Sequence, residues 1–556
     1  MSQEPIDDQN QPEEILEDHA PHDSTEDRNR KGLLLGWGAS AAVHISAIAL
    51  MAGVYFAAKE MEKETPPVRV ATIEAPPPKE DKKKEQRTLT EQVSLDVEAP
   101  ESDNPSPVTA LDVPVENAER ETDNPSETPK GREEAVADAE MGGSGAFMAI
   151  GAGGGGSGMF GSRTGGGKKR AIGRGGGSKG SESAVDAALK WFKRHQSPDG
   201  SWVASSYWKN CTEGQKCEPG KDHEAGDCTV AMTGYAVLCY LGAGYDHKTP
   251  SKFKDTVKKG VDYLVQAQKP DGSIGKDARN YEHPIATMAL AEAYAMTQDG
   301  DLKDKTQKAV NLILARQNVE TTVGADKAKV AGGGSGRLGW DYLRPSTRND
   351  ASVTGWNVMA LKSALAGGLN VGAGMEGSKN YLEKAWRATN NKAQKINGVE
   401  YKQWKDITAY DRSRFPYCWI TGESEAQGDN NALAPVGLVI GVFVGRTAGD
   451  PLIESLANYV MAHQVPKSYP CNTYFMYYNT LAIFQVGGDK WTKWNAAVRD
   501  MLVKAQRVTN DCFDGSWDYG PHFHGADVGR VLHTAYNTLC LEVYYRYAQV
   551  HADKKK

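Results

Sequence analysis

The first 31 residues hold almost nothing apolar. Asp, Glu, Gln, Asn and Pro dominate, and so little hydrophobic surface cannot offset the entropy of ordering; residues 1–31 are expected to form a disordered tail. Basic surface is missing as well. No Lys/Arg stripe with interleaved aromatics runs through the 556 residues, and the formal net charge is -7, so nothing favours a nucleic-acid partner. Phosphate-loop chemistry is also absent: the GRGGG run near residue 175 follows no strand, and no Gly-Lys-Ser/Thr closes it.

One segment lacks charge altogether. From Leu33 to Ala58 there is no Asp, Glu, Lys or Arg, and such a helix is roughly 39 Å long at ~1.5 Å per residue, more than a ~30 Å hydrocarbon core requires. A cleaved signal peptide would have a shorter apolar region, so residues 32–58 are expected to be a single transmembrane helix. Arg28, Arg30 and Lys31 crowd its N-terminal side, while Lys59, Lys63 and Arg69 follow more diffusely. The positive-inside rule then places the N-terminus in the cytoplasm and the rest of the chain in the periplasm, as a single-pass protein of the cell inner membrane. Cys211 and Cys217 bracket a polar loop whose length permits a disulfide in that oxidising compartment; two free loop thiols are the alternative.

Within the span, Ser40 and His44 stand four apart on one helical face, and an ionisable residue at membrane depth points to function. A neutral His bonded to a backbone carbonyl is the plainer account. The Ser-x-x-x-His pair, together with the following PPVRVATIEAPPPKEDKKKEQ (Pro66–Gln86), resembles the anchor of TonB-type energy transducers. That resemblance implies contact of Ser40 and His44 with an ExbB/ExbD-type proton-driven motor. It covers only about residues 28–90, and the βαββ domain of such transducers is not visible. Residues 59–141 read as a charged, Pro-rich linker and 142–180 as a Gly-rich linker. As a random coil the tether would average roughly 60 Å end to end.

Beyond Ser181 a pattern recurs. AALKWFKRHQ, KGVDYLVQAQ, KAVNLILARQ, LANYVMAHQ and VRDMLVKAQ place apolar residues at helical spacing and end on Gln196, Gln268, Gln317, Gln464 and Gln506. Asp-Gly-Ser turns follow at Asp199, Asp271 and Asp514. Between them lie segments apolar nearly all round, near 227–243, 282–297, 350–367, 432–446, 472–487 and 527–546, and a further amphipathic segment lies near 375–390. Amphipathic helices alternating with fully apolar ones predict an all-α fold. It is a single α6/α6 toroid over 181–550, with 551–556 a basic tail.

KGVDYLVQAQKPDGS and AALKWFKRHQSPDGSW resemble the QW motifs of squalene and oxidosqualene cyclases. DASVTGWNVMALKSA and YYNTLAIFQVGGDKWTKWN are similar to squalene-cyclase-like, prenyltransferase-repeat proteins of planctomycete type. The resemblance implies a terpenoid cyclase/protein prenyltransferase-like toroid in which Gln and Trp tie helices together. It does not bring the chemistry. The Asp-x-Asp-Asp acid of squalene cyclases is absent, and Asp227-Cys228-Thr229 matches only half of the oxidosqualene cyclase motif. A prenyltransferase zinc site would need an Asp-x-Cys upstream of His533-Thr534, and none is present. His522, His524 and His533 remain weak metal candidates; no metal or other cofactor is expected. Asp299, Asp301 and Asp304 could suggest a diphosphate–magnesium cluster, but Asp301 reads better as the N-cap of a helix with Asp304 in its first turn.

If the inner helices run parallel, their N-termini meet at one mouth. That mouth would gather Asp227, His283, Asp350, Asp429 and Asp527, with Tyr474 and Tyr477 nearby and Trp340-Asp341-Tyr342 as a roof. Each Asp alone is a plausible helix cap. Two readings follow. In the first, the toroid binds an envelope ligand or protein partner without catalysis. In the second, those acids act as general acid and base on an isoprenoid or polysaccharide, which requires two of them within reach of one another.

Overall fold

The computed structural model describes residues 161–220, 228–275, 279–320, 336–390, 394–396, 399–401, 414–424, 426, 433–521 and 525–547. The tail, the Leu33–Ala58 segment with Ser40 and His44, and the linker up to residue 160 lie outside them. Among the described residues no helix is long and apolar enough to cross a membrane.

Twelve of the described helices alternate in two layers. The outer layer contains α2 (Lys179–His195), α4 (Lys254–Gln266), α6 (Gly300–Ala315), α8 (Gly374–Thr389), α10 (Pro451–His463) and α12 (Gly488–Ala505). The inner layer contains α3 (Thr229–Gly242), α5 (Glu282–Thr297), α7 (Ala351–Ala366), α9 (Ala434–Phe443), α11 (Thr473–Val486) and α14 (Arg530–Leu541). Each inner helix packs on the next, and α14 packs back on α3, closing the ring. Each outer helix lies against two inner ones. The layer follows from composition. All residues of α3 are buried, because TVAMTGYAVLCYLG offers no polar face to water. In α2 only one face is buried, through Val185, Leu189, Trp191 and Phe192.

The glutamines and tryptophans do similar work in successive repeats. Gln196 Nε2 donates to the Gly200 carbonyl of its own turn and to Thr256 O of the next outer helix, α4. Gln268 does the same to Gly272 O and Lys305 O, and Gln317 to Leu338 O and Gly374 O. Gln506 reaches Gly515 O and, across the seam, Ala184 O of the first outer helix at 2.8 Å. The indoles of Trp202, Trp340 and Trp517 each donate to a carbonyl near the end of the preceding outer helix: Phe192, Ile313 and Leu502. Their backbone N–H groups donate to Thr233, Thr354 and Thr534 of the following inner helix. Trp340 is thus fully buried inside this repeat, and it does not roof a pocket as expected. Gln506→Ala would remove two buried hydrogen bonds at the seam, and the expected loss is about 2 kcal/mol. Urea denaturation followed by circular dichroism would measure it, with the exposed Lys504→Ala as control.

The structure departs from the sequence reading in other places too. Residues 161–180 are not linker. A 3-10 turn, Gly161–Arg163, and α1 (Gly165–Gly175) pack on the C-terminal ends of the inner helices. Glycine is needed there for close approach: a Cβ on Gly175 would sit 2.7 Å from the Tyr544 ring, and the Gly175 carbonyl accepts from Trp491 Nε1 at 2.8 Å. The fold is also not purely helical. β1 (Arg348–Asp350), β2 (Gln394–Ile396), β3 (Val399–Tyr401) and β4 (Cys418–Ile420) form two antiparallel ribbons, β1 with β4 and β2 with β3. The cap of α6 is Asp299, which accepts from Asp301 N and pairs with His247 and Lys248, so Asp301, the expected cap, is instead the second residue of the helix.

Candidate functional site at the inner-helix N-termini

All six inner helices run in the same direction, so their N-termini meet at one end as expected. Of the acids predicted there, Asp227 and Asp429 lie outside the described residues, as do His522 and His524. Asp527 lies, partly exposed, in the one-turn helix α13 (Gly525–Val528).

Asp350 is buried and fully engaged. One carboxylate oxygen caps α7 by accepting from Val353 N at 3.1 Å and also accepts from Ser352 Oγ. The other accepts from Arg348 Nη2 at 2.9 Å. Arg348 Nη1 donates to Asp341 at 2.7 Å, and Ser346 Oγ donates to the second Asp341 oxygen. The guanidinium lies over the rings of Tyr342 and Tyr417, 5.6 and 5.2 Å from their centroids, and their hydroxyls meet at 3.2 Å. Burial lowers the arginine pKa, but Asp350 and Asp341 outweigh it, so Arg348 is held charged above its ordinary value. The cluster is a paired rim: two carboxylates share one cation, and their oxygens are taken up by Arg348, Ser346, Ser352 and the cap of α7.

A second such cluster begins α14. Arg530 Nη2 pairs with Glu218 and Asp518, both at 2.7 Å, and its guanidinium stacks 4.5 Å from the Phe513 ring centroid. His533, one turn on, shares a 2.7 Å hydrogen bond with Thr473 and stacks on Tyr519. It ties α14 to α11.

His283 does not join the mouth. Its Nδ1 accepts from Ile274 N, so Nε2 carries the proton and donates to Ala309 O. Both nitrogens serve backbone on the outer-helix side, and burial pushes its pKa down to about 4. It replaces the threonine contact of the other repeats in a unit where Ile274 stands for the tryptophan.

Below the rim the axis is filled. Tyr235, Trp356, Tyr477 and Tyr536, from four inner helices, pack ring on ring: Trp356 stacks on Tyr477 and Tyr477 on Tyr536 at centroid distances of 6.0 and 5.4 Å. Tyr235 meets Trp356 and Tyr536 edge-on, and its hydroxyl lies 3.0 Å from that of Tyr536. Tyr474 and Tyr477 were expected to face a ligand; both are buried in this aromatic core, because an inner helix has no solvent side.

Cys211 and Cys217 are both free thiols, and Cys211 faces Cys512 and His195 instead of its loop partner. Sequence reasoning passed over Arg348, Tyr417 and this cluster. Arg348 had a signal in the nearby Asp341 and Asp350; Tyr417 and Cys512 come from segments far away in the chain.

Residues 174–282 match the family described as squalene-hopene cyclase C-terminal domain. A squalene–hopene cyclase of Bradyrhizobium diazoefficiens is 30% identical over 191 residues, covering 33% of this chain and 26% of that protein. The chain thus spans about a quarter of the length of the curated relative it matches. Among solved structures, an α-amylase from Clostridium perfringens is similar with a TM-score of 0.43 at 12% identity, covering 65% of this chain and 97% of that one. An α-1,6-mannanase from Salegentibacter gives 0.41 at 10% identity, covering 66% and 98%. A type II terpene cyclase from Scytonema gives 0.36 at 12% identity, covering 66% and 97%. The described helices of this chain form a squalene-cyclase-like α/α toroid.

Proposed function

We propose that the toroid is a binding module for an envelope ligand or protein partner, carried on a tether from a single-pass anchor in the inner membrane. One observation carries this reading: the chain enters the toroid at the end opposite the mouth. Arg163 is buried among the C-terminal ends of the inner helices, bonded to Leu241 O and paired with Glu292. The Arg348–Tyr342–Tyr417 rim therefore lies at the end of the ring opposite Arg163, free to meet a partner. The acids beneath it are spent on a cap and on one shared cation, which favours recognition over acid catalysis. An ExbB/ExbD-type motor would act through Ser40 and His44 and pull on the closed end.

A photo-crosslinking residue at Leu343, 55% exposed beside Tyr342, tests the binding reading in cells. Adducts at 343 that vanish with Arg348→Ala, and are absent at the opposite-end control Lys303, are the expected result. Equal labelling at both positions, or none, overturns it. Turnover of an isoprenoid or glycan that depends on Asp350 would establish the enzymatic reading instead. For the anchor, Ser40→Ala with His44→Ala is expected to abolish crosslinking to the motor proteins without changing membrane fractionation.

A further inference from the structure

The loops that follow the first and last outer helices meet at the seam of the ring. His195 ends α2, Cys211 lies in the polar loop beyond it, and Cys512 opens the final Cys-Phe-Asp-Gly-Ser-Trp turn. One donor atom from each lies within 4.8 Å of the other two. All three side chains are buried, at 0%, 1% and 0% exposure.

The histidine is oriented as a ligand. Its Nδ1 lies 2.8 Å from the Trp191 carbonyl, so that nitrogen carries the proton and donates. The lone pair of Nε2 then faces Cys512 Sγ at 3.5 Å. A backbone carbonyl holding the far nitrogen is how metal-bound histidines are commonly fixed. In a tetrahedral site with metal–sulfur ~2.3 Å and metal–nitrogen ~2.05 Å, the sulfur–nitrogen edge is about 3.5 Å. Trp191 stacks on the imidazole at 4.2 Å, locking the ring plane.

We propose that His195, Cys211 and Cys512 bind a zinc-type divalent ion that clamps the first repeat to the last, with Cys217 a further thiol on the same loop. Cys217 Sγ lies 3.1 Å from the Cys512 carbonyl and is buried beside the cluster. Two thiolates and an imidazole select a soft or borderline metal and disfavour calcium or magnesium. Binding releases the thiol protons to solvent. Because the thiols bind only as thiolates, affinity rises with pH. The ion would reinforce contacts already spanning the seam: Trp191 Nε1 to Cys512 O at 2.9 Å and Arg194 to Asp514 O at 2.7 Å.

The test uses the full-length chain, purified in detergent under reducing conditions, stripped with chelator and titrated with Co²⁺ alone. The expected result is one equivalent bound with a thiolate-to-cobalt charge-transfer band. Restoring Zn²⁺ should raise the Tm by about 5 °C or more. Cys512→Ser should lose the band, and Cys239→Ser, a buried thiol elsewhere in the core, should keep it. If Cys512→Ser does not fold, the titration of the unmodified chain still decides. No band and no Tm response in that chain overturns the proposal. So does a Cys211–Cys512 disulfide found by mass spectrometry in metal-free protein as isolated.

Discussion

Glu292→Ala is expected to destabilise the toroid by about 3–5 kcal/mol, the cost of leaving buried cations without their counter-charge. Glu292, Arg163 and Arg546 are all fully buried. One carboxylate oxygen accepts from Arg163 at 2.8 Å and the other from Arg546 at 3.1 Å, with Ser363 Oγ also near the latter. Removing the carboxylate strands two guanidinium groups at the closed end of the barrel. Arg163 also donates to Leu241 O and Arg546 O, so the 161–175 segment should loosen first. Limited trypsin digestion checks this: Lys168, Lys169 and Arg170 should become the earliest cleavage sites in the variant and be protected in the parent. Glu454→Ala is the control, because its pair with Lys490 is partly open to solvent and worth about 1 kcal/mol or less.

The same carboxylate sets an acid limit. Burial alone would raise the Glu292 pKa, but Arg546 and Arg163 outweigh it and hold it below the usual 4.5. A group whose folded pKa is depressed stabilises the fold above its unfolded pKa, and that contribution is lost as pH falls through the folded value. The parent should therefore lose stability below about pH 4.5 more steeply than Glu292→Ala does. Parallel slopes would show that another group sets the acid limit.

Gly515→Ala is the second large effect, expected at about 3 kcal/mol or more. Gly515 has φ +88°, where a Cβ is strained, and that Cβ would stand 2.3 Å from the Ala187 carbonyl oxygen of the first outer helix. Backbone cannot swing aside as a side chain can. The seam would have to open, taking with it the Gln506 bonds to Ala184 and Gly515. Gly200 repeats the geometry one unit on, at φ +94° and 2.2 Å from Lys259 O. Gly300→Ala, with nothing within 4 Å, should be neutral or slightly stabilising. A thermal-unfolding series of the three variants separates strain and clash from the general cost of adding a methyl group. Equal Tm values would remove the structural meaning of the Asp-Gly-Ser turn.

The alternating ring was legible before any coordinates because two local signals reinforce one another, helical spacing in every repeat and turn punctuation in most. The spacing of apolar residues tells an outer helix from an inner one, and the Gln and Asp-Gly-Ser punctuation marks where the chain turns inward. Both are carried by residues near each other in sequence. The predicted inner segments 282–297 and 350–367 meet the observed Glu282–Thr297 and Ala351–Ala366 almost residue for residue. The glycines of 161–180 misled for the opposite reason. Composition cannot tell a glycine that is flexible from one that lets Tyr544 pack against bare backbone, and that distinction rests on a residue more than 360 positions away.

The site divides along the same line. That the inner N-termini share one mouth followed from the alternation itself, as did the plain reading of Asp350 as a helix cap. Which acid is spent, and on what, did not. Asp350 and Asp341 are joined by Arg348, and that cation is held between Tyr342 and Tyr417 across a 75-residue separation. His283 left the mouth because its ring completes a backbone contact in a repeat where Ile274 stands in place of the tryptophan, and Cys211 passed over Cys217 for a thiol 301 positions on because ring closure brings the chain's two ends of the toroid together. Sequence by itself determined the repeat, the layer of each helix and the end at which the loops converge, since these depend on local periodicity. Only the tertiary structure decided which side chains meet across the seam and the axis, since burial and pairing there are properties of the closed ring.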